Sequence, residues 1–126
     1  MLNYSKLRNM EQREKSTSLL LDIGADFYKQ TAQYVKEIED RLEEEKIKNP
    51  SSKKIVLLSD ELRNTKRVWE SIFERREKKI VLSALSFARG GKEMPKNLTR
   101  EEKIFYDAMI EILKEHRKRV FENYEK

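Results

Sequence analysis

The sequence predicts an all-α fold, a helical bundle of about four main helices with one long central helix. Three observations predict it. The chain holds only 3 Gly and 2 Pro in 126 residues, whereas β architectures need turn residues every ~8–12 positions. Hydrophobic residues make up 37% of the chain and charged residues 40%, a balance that suits helices giving one stripe to a core and the rest to water. Apolar residues recur at spacings of three and four over most of the length. A single helical domain over residues 1–126 is expected, since domains most often run roughly 100–150 residues.

The first helix reads from Asn3 to Lys15, with Tyr4, Leu7 and Met10 on one stripe. It is short and highly charged, so it needs a partner surface to be stable. Ser16 to Gly24 interrupts it. Polar β-formers followed by Leu19-Leu20-Leu21 and Gly24 read as an ordered connector on the core, and a short helix or an extended piece fits equally well. The second helix begins near Ala25-Asp26, where the Asp26 carboxylate suits the free N–H groups and the dipole. Phe27, Thr31, Tyr34, Val35, Ile38 and Leu42 form its apolar stripe, and Asn49-Pro50-Ser51-Ser52 stops it.

No Pro or Gly interrupts Lys53 to Arg89. Ile55, Leu58, Leu62, Thr65, Trp69, Ile72, Phe73, Arg76, Ile80, Ala84 and Phe87 keep helical spacing throughout. Unbroken, this segment would be ~55 Å long at 1.5 Å per residue, against a mean helix of ~11–12 residues. Either it breaks near Ser59-Asp60 with Ser59 as a cap, or one end protrudes to meet another chain. Ile80 to Ala88 is apolar on nearly every side, which predicts burial, centrally or at an interface. Ile80, Ala84, Leu85, Phe87 and Ala88 are therefore the candidate subunit interface.

Gly90-Gly91 supplies a left-handed C-cap and Pro95 prevents re-entry. Thr99-Arg100-Glu101-Glu102 is a capping box that starts the fourth helix. Phe105, Ala108, Met109, Ile112, Leu113, His116 and Val120 follow as its core stripe, and Arg117-Lys118-Arg119 suits the negative C-terminal end.

The same residues exclude most chemistry. There is no Cys, which removes disulfides, thiolate metal sites and cysteine nucleophiles. His116 is the only histidine, and on its stripe it reads as a packed core or rim side chain; no zinc site, metal site or cofactor is expected. Gly90-Gly91 follows a helix and lacks the surroundings of a phosphate loop. No catalytic constellation is present, so the chain reads as no enzyme. No apolar run approaches the ~20 residues that span a bilayer, and Met1 to Lys6 does not resemble a secretory signal. A cytoplasmic or nucleoid location is expected, nuclear in a eukaryote.

The formal charge of +5 is uneven: residues 1–52 carry 9 Lys/Arg against 10 Asp/Glu, and residues 53–126 carry 19 against 13. Arg63, Lys66, Arg67, Arg75, Arg76, Lys78 and Lys79 crowd the third helix among Glu70, Glu74 and Glu77. Arg76 falls on the apolar stripe, where a guanidinium is costly unless paired, so it is expected as a buried anchor. Arg63, Arg67, Arg75 and Lys79 are candidate nucleic-acid or partner contacts, allowing weak nonspecific DNA binding. A small basic nucleic-acid-binding helical domain is thus the alternative to a protein-binding one.

The order Asp26-Phe27-Tyr28 with Tyr34-Val35, then Arg75-Arg76-Glu77-Lys78-Lys79-Ile80 running into Ala84-Leu85-Ser86-Phe87-Ala88-Arg89-Gly90-Gly91, and Asn97-Leu98-Thr99-Arg100-Glu101-Glu102-Lys103 resembles GINS, in the subunit type that carries its helical A domain first. The resemblance runs from about Asp26 to Arg119. It implies a scaffold subunit in DNA replication, in archaea or eukaryotes, assembling with other GINS subunits, the same or a sister chain. The MCM helicase and a Cdc45/RecJ-like protein are the further partners it implies. Members of this type usually continue into a small β-rich B domain, which is absent from a sequence ending Tyr124-Glu125-Lys126.

Overall fold

The computed structural model describes residues 2–125, with side chains to residue 122. The expected all-α fold is observed, and no strand occurs among the described residues. Helix α1 spans Tyr4–Lys15, α2 Phe27–Lys48, α3 Lys53–Ala88 and α4 Arg100–Glu125.

α3 is the spine. Its 36 residues run unbroken through Ser59-Asp60, about 54 Å at 1.5 Å per residue. Ser52 caps it, the side-chain oxygen accepting from the Lys54 N–H at 3.1 Å. The buried stripe Thr65, Val68, Ile72, Arg76, Ile80 and Ala84 steps by three and four along one face. A helix this long is supported because its neighbours divide it. α1 and α2 pack beside its middle, α4 beside its C-terminal half.

Pairings give the directions. Tyr28 meets Phe73 and Tyr34 meets Glu61, so α2 runs against α3. Arg76 meets Glu102 and Phe87 meets Lys114, so α4 runs parallel to α3 and a long return connects them. That return starts in a Schellman motif: Gly91 N–H donates to Ser86 O at 3.0 Å and Gly90 N–H to Phe87 O at 3.1 Å. Gly90 has φ 106°, open to few side chains, and a Cβ on Gly91 would lie 2.8 Å from the Ser86 carbonyl oxygen.

Residues 16–26 form an irregular connector, and its leucine run splits: Leu20 is buried while Leu19 is 74% exposed. Asp26 precedes α2 but makes no capping hydrogen bond. Its carboxylate instead accepts from Arg100 Nε at 2.8 Å, tying the starts of α2 and α4 together. The capping box of α4 forms in full, with Glu102 N–H donating to Thr99 Oγ1 at 3.1 Å and Thr99 N–H to Glu102 Oε1 at 2.9 Å.

The core has two apolar blocks. One contains Leu7, Ile23, Phe27, Val68 and Ile72; the other contains Leu20, Ile80, Ala84, Tyr106 and Ile110. Arg76 sits between them on the α3 stripe.

The face of α4 departs from expectation. Tyr106 and Ile110 are buried, whereas Phe105, Ile112 and Val120 are 39%, 68% and 49% exposed, and His116 is exposed as well. The helix is turned relative to the expected stripe, and only Met109 and Leu113 of that stripe pack against the core beside Tyr106 and Ile110. Glu102 decides this: it is drawn inward to Arg76, and Tyr106 and Ile110 lie on the same face one and two turns later.

Candidate functional site

The buried polar residues converge on Arg76, which is 0% exposed. Its guanidinium carries five N–H donors, and five hydrogen bonds leave it. Nε donates to Glu102 Oε2 at 2.7 Å and Nη2 to Glu102 Oε1 at 2.8 Å, a bidentate grip. Nη1 donates to Glu14 Oε1 and to the Leu21 carbonyl, both at 2.8 Å. Nη2 also donates to the Asn97 carbonyl at 2.9 Å. Asn97 holds that carbonyl in place from the left-handed region, φ 66°, which Asn tolerates better than most residues.

A second cation balances the second acid. Lys79 Nζ donates to the other Glu14 carboxylate oxygen, to the Glu14 carbonyl and to the Leu19 carbonyl. Tyr28 OH donates to Glu102 Oε2 at 2.8 Å. Four helices and both connectors around α1–α2 and α3–α4 thus meet at one charge-balanced node. Burial works against the Glu102 carboxylate, yet Arg76, the Thr99 N–H and Tyr28 outweigh it and hold its pKa below the ordinary carboxylate value. Burial likewise opposes the Arg76 charge, and Glu102 with Glu14 more than restores it. Burial and the Glu102 charge raise the Tyr28 phenol. Every guanidinium donor is engaged, so the node clamps helices and offers no free group for proton transfer.

These shifts give a pH profile. Glu102 has a folded pKa below its unfolded value, so its contribution is present above about pH 4.5 and is lost as pH falls through the lower folded value. Tyr34, raised to about 12 by burial and its hydrogen bond to Glu61, contributes fully below pH 10 and loses that contribution as pH rises from 10 to 12. Thermal melts followed by circular dichroism from acid to alkali are expected to fall off at both ends. Glu102→Gln should lower the plateau and flatten the acid limb; an unchanged acid limb would remove Glu102 from this account.

The sequence-predicted interface residues are divided by the structure. Ile80 and Ala84 are 1% and 0% exposed because α4 covers them with Tyr106 and Ile110, so they belong to the chain's own core rather than a subunit interface. Leu85, Phe87 and Ala88 are half-buried. The basic candidates also separate. Lys79 faces Glu14 inside the node and is not a surface cation. Arg75 is half-buried, Arg63 pairs with Asp60 at 2.6 Å, and Arg67 donates to Asn64 at 2.8 Å. The four do not form one basic surface.

Two features escaped the sequence reading. Glu11 and Glu14 are buried on α1; their spacing from Leu7 places two acids on its core face, the complement an arginine on the α3 stripe requires. The other is a groove of about 620 Å³ where α2, α3 and α4 meet, floored by Tyr28, Trp69, Phe73 and Phe105 and rimmed by Glu70, Glu77 and Glu101. Phe73 remains 45% exposed there, with its ring 6.1 Å from that of Tyr28. Exposed aromatic surface beside charged residues is the composition that protein interaction surfaces favour.

Among the described residues no His, Cys, Asp and Glu cluster fits a metal ion, and no helix is long and apolar enough to cross a membrane. A family model described as Sld5, GINS complex protein helical bundle domain, matches residues 1–121. Comparison with curated proteins gives no match.

Proposed function

The chain belongs to the GINS complex protein helical bundle family, and from that premise we propose that it acts in DNA replication as a non-catalytic scaffold. Membership gives it a role in the GINS complex, with other GINS subunits as partners. The proposed action is to bury helical surface against those subunits so that the assembly bridges the MCM helicase and a Cdc45/RecJ-like protein.

The observation that carries this reading is where the apolar and the polar residues lie. Polar groups able to do chemistry are locked to one another around Arg76, while large apolar side chains stand outside: Phe73, Leu82, Phe105, Ile112 and Phe121 are each more than a third exposed. That pattern favours association over turnover. The nucleic-acid alternative is weakened because Lys79 is held by Glu14 and Arg75 is half-buried, which leaves only Arg63 and Arg67 of the four candidates exposed.

Purified chain mixed with a sister GINS subunit of the same organism is expected to co-elute as one stable complex. Adding that complex to MCM and the Cdc45/RecJ-like protein should raise DNA unwinding. Separate elution together with unwinding at the rate of MCM alone would overturn the proposal.

A further inference from the structure

We propose that the groove between α2, α3 and α4 receives an extended basic segment of a partner protein, with two arginines three positions apart and an apolar residue between them on the Phe73 ring. This rests on the scaffold reading and names what one of its surfaces takes.

The groove is apolar at its floor and acidic at its edge. Tyr28, Trp69, Phe73 and Phe105 supply four rings to a space of about 620 Å³. Tyr28 and Phe73 stand at 68° to one another. The Tyr28 hydroxyl is bound to Glu102, so the buried node fixes one side of the floor in advance. Glu70, Glu77 and Glu101 line the same space, with Lys66 as the one cation among the lining residues. Among the described residues no ion pair engages Glu70, Glu77 or Glu101. Glu102 also borders the groove, but Arg76 neutralises it. Arg100 and Lys103, which flank this start of α4, are turned to Asp26 and Asp107. A surplus of negative charge thus stands over an aromatic floor.

That combination selects the occupant. A wholly apolar segment would dry the floor and strip water from the carboxylates with nothing in return. A phosphate backbone or an anionic lipid surface would meet charge of its own sign. An arginine-bearing segment answers both features. The guanidinium forks a carboxylate, and its plane and methylene stem cover aromatic surface.

Spacing narrows the segment further. Glu70, Phe73 and Glu77 follow one another on one face of α3 at intervals of three and four, so the carboxylates bracket the ring. Seven helical positions separate them by about 10.5 Å. In a polyproline II chain, residues three apart return to the same face about 9.3 Å on. Arg-x-x-Arg in that form reaches both carboxylates and lays an intervening residue over Phe73. Such a chain has little conformational entropy left to lose, which suits an aromatic-lined groove.

Trp69 is the single tryptophan of the chain and lines the groove, so its fluorescence reads occupancy directly. The probe is a synthetic peptide, acetyl-Gly-Ser-Arg-Leu-Pro-Arg-Ser-Gly-amide, titrated into the purified chain. A control peptide carries glutamate at both arginine positions. The arginine peptide is expected to give a saturable change in Trp69 emission that weakens at high salt, and the glutamate peptide none. Glu70→Gln with Glu77→Gln should weaken binding by about tenfold, the scale of two exposed ion pairs. Phe73→Ala should remove saturation. Both variants should keep the parent's circular dichroism, since all three side chains are exposed. No saturable change with the arginine peptide, an equal change with the glutamate peptide, or binding unaltered in both variants would overturn the inference. A chain that ignores the peptide yet co-elutes with a sister subunit would leave the scaffold reading standing. One that binds the peptide and no sister subunit would do the reverse.

Discussion

Arg76→Met is expected to destabilise the chain by about 3–5 kcal/mol, the cost of removing one partner from a buried ion pair. Methionine fills similar space but leaves the buried Glu14 and Glu102 carboxylates without their shared cation, and leaves the Leu21 and Asn97 carbonyls short of a donor. Domains of this kind hold ~5–15 kcal/mol in total, so the urea midpoint should drop by about a fifth or more. Arg76→Lys keeps the charge but brings at most three donors to a site that uses five, and an ammonium cannot grip Glu102 bidentately. Its loss should be smaller but still large. Adding Glu14→Gln and Glu102→Gln to Arg76→Met should recover part of the loss, because an amide is cheaper to bury than an unpaired carboxylate. A single Arg76→Met with an unchanged urea midpoint would show that the node contributes nothing to stability.

Phe27→Ala is expected to cost about 3–5 kcal/mol, in the range for emptying a fully buried aromatic position. Phe27 is the first residue of α2, and it lies in the block with Leu7, Ile23, Val68 and Ile72. Those residues come from α1, the connector and α3, so the cavity would open where the N-terminal part of the chain meets the spine. Phe73→Ala, on the half-exposed groove, should cost far less for the same chemical change. Denaturant titration of the two variants side by side measures the contrast. Equal losses would mean that the groove, too, is packed interior.

Much of the local structure is legible in the residues. The three turns of punctuation are written locally: Asn49-Pro50 ends α2, Gly90-Gly91 closes α3, and Thr99 with Glu102 opens α4. Each works through hydrogen bonds within a few residues, and each forms. Phe27, Thr31, Val35, Ile38 and Leu42 are buried as their spacing predicts, because α2 has one apolar stripe and nothing to compete with it. α4 has apolar residues on two faces: of its expected stripe Met109 and Leu113 pack on the core while Phe105, Ala108 and Ile112 stand outside, so periodicity alone does not fix the rotation. An ion pair decides it, drawing Glu102 toward Arg76 across 26 positions of sequence.

The candidate site divides in the same way. An arginine on an apolar stripe announces a buried charge, since desolvation must be answered by a partner. Which partner answers is not local. Glu14 lies 62 positions from Arg76, and one more acid, Glu11, is buried on the same face of α1. Ile80 and Ala84 look like an interface in one dimension, until α4 returns over a long connection and covers them. By itself the sequence determined where helices form, the stops at Asn49-Pro50 and Gly90-Gly91, the Thr99–Glu102 capping box and the need for a paired arginine, because short-range hydrogen bonding and periodicity set these. Only the tertiary structure decided which acids meet Arg76, which face of α4 turns inward and which aromatics remain outside, because distant segments must satisfy one buried charge together.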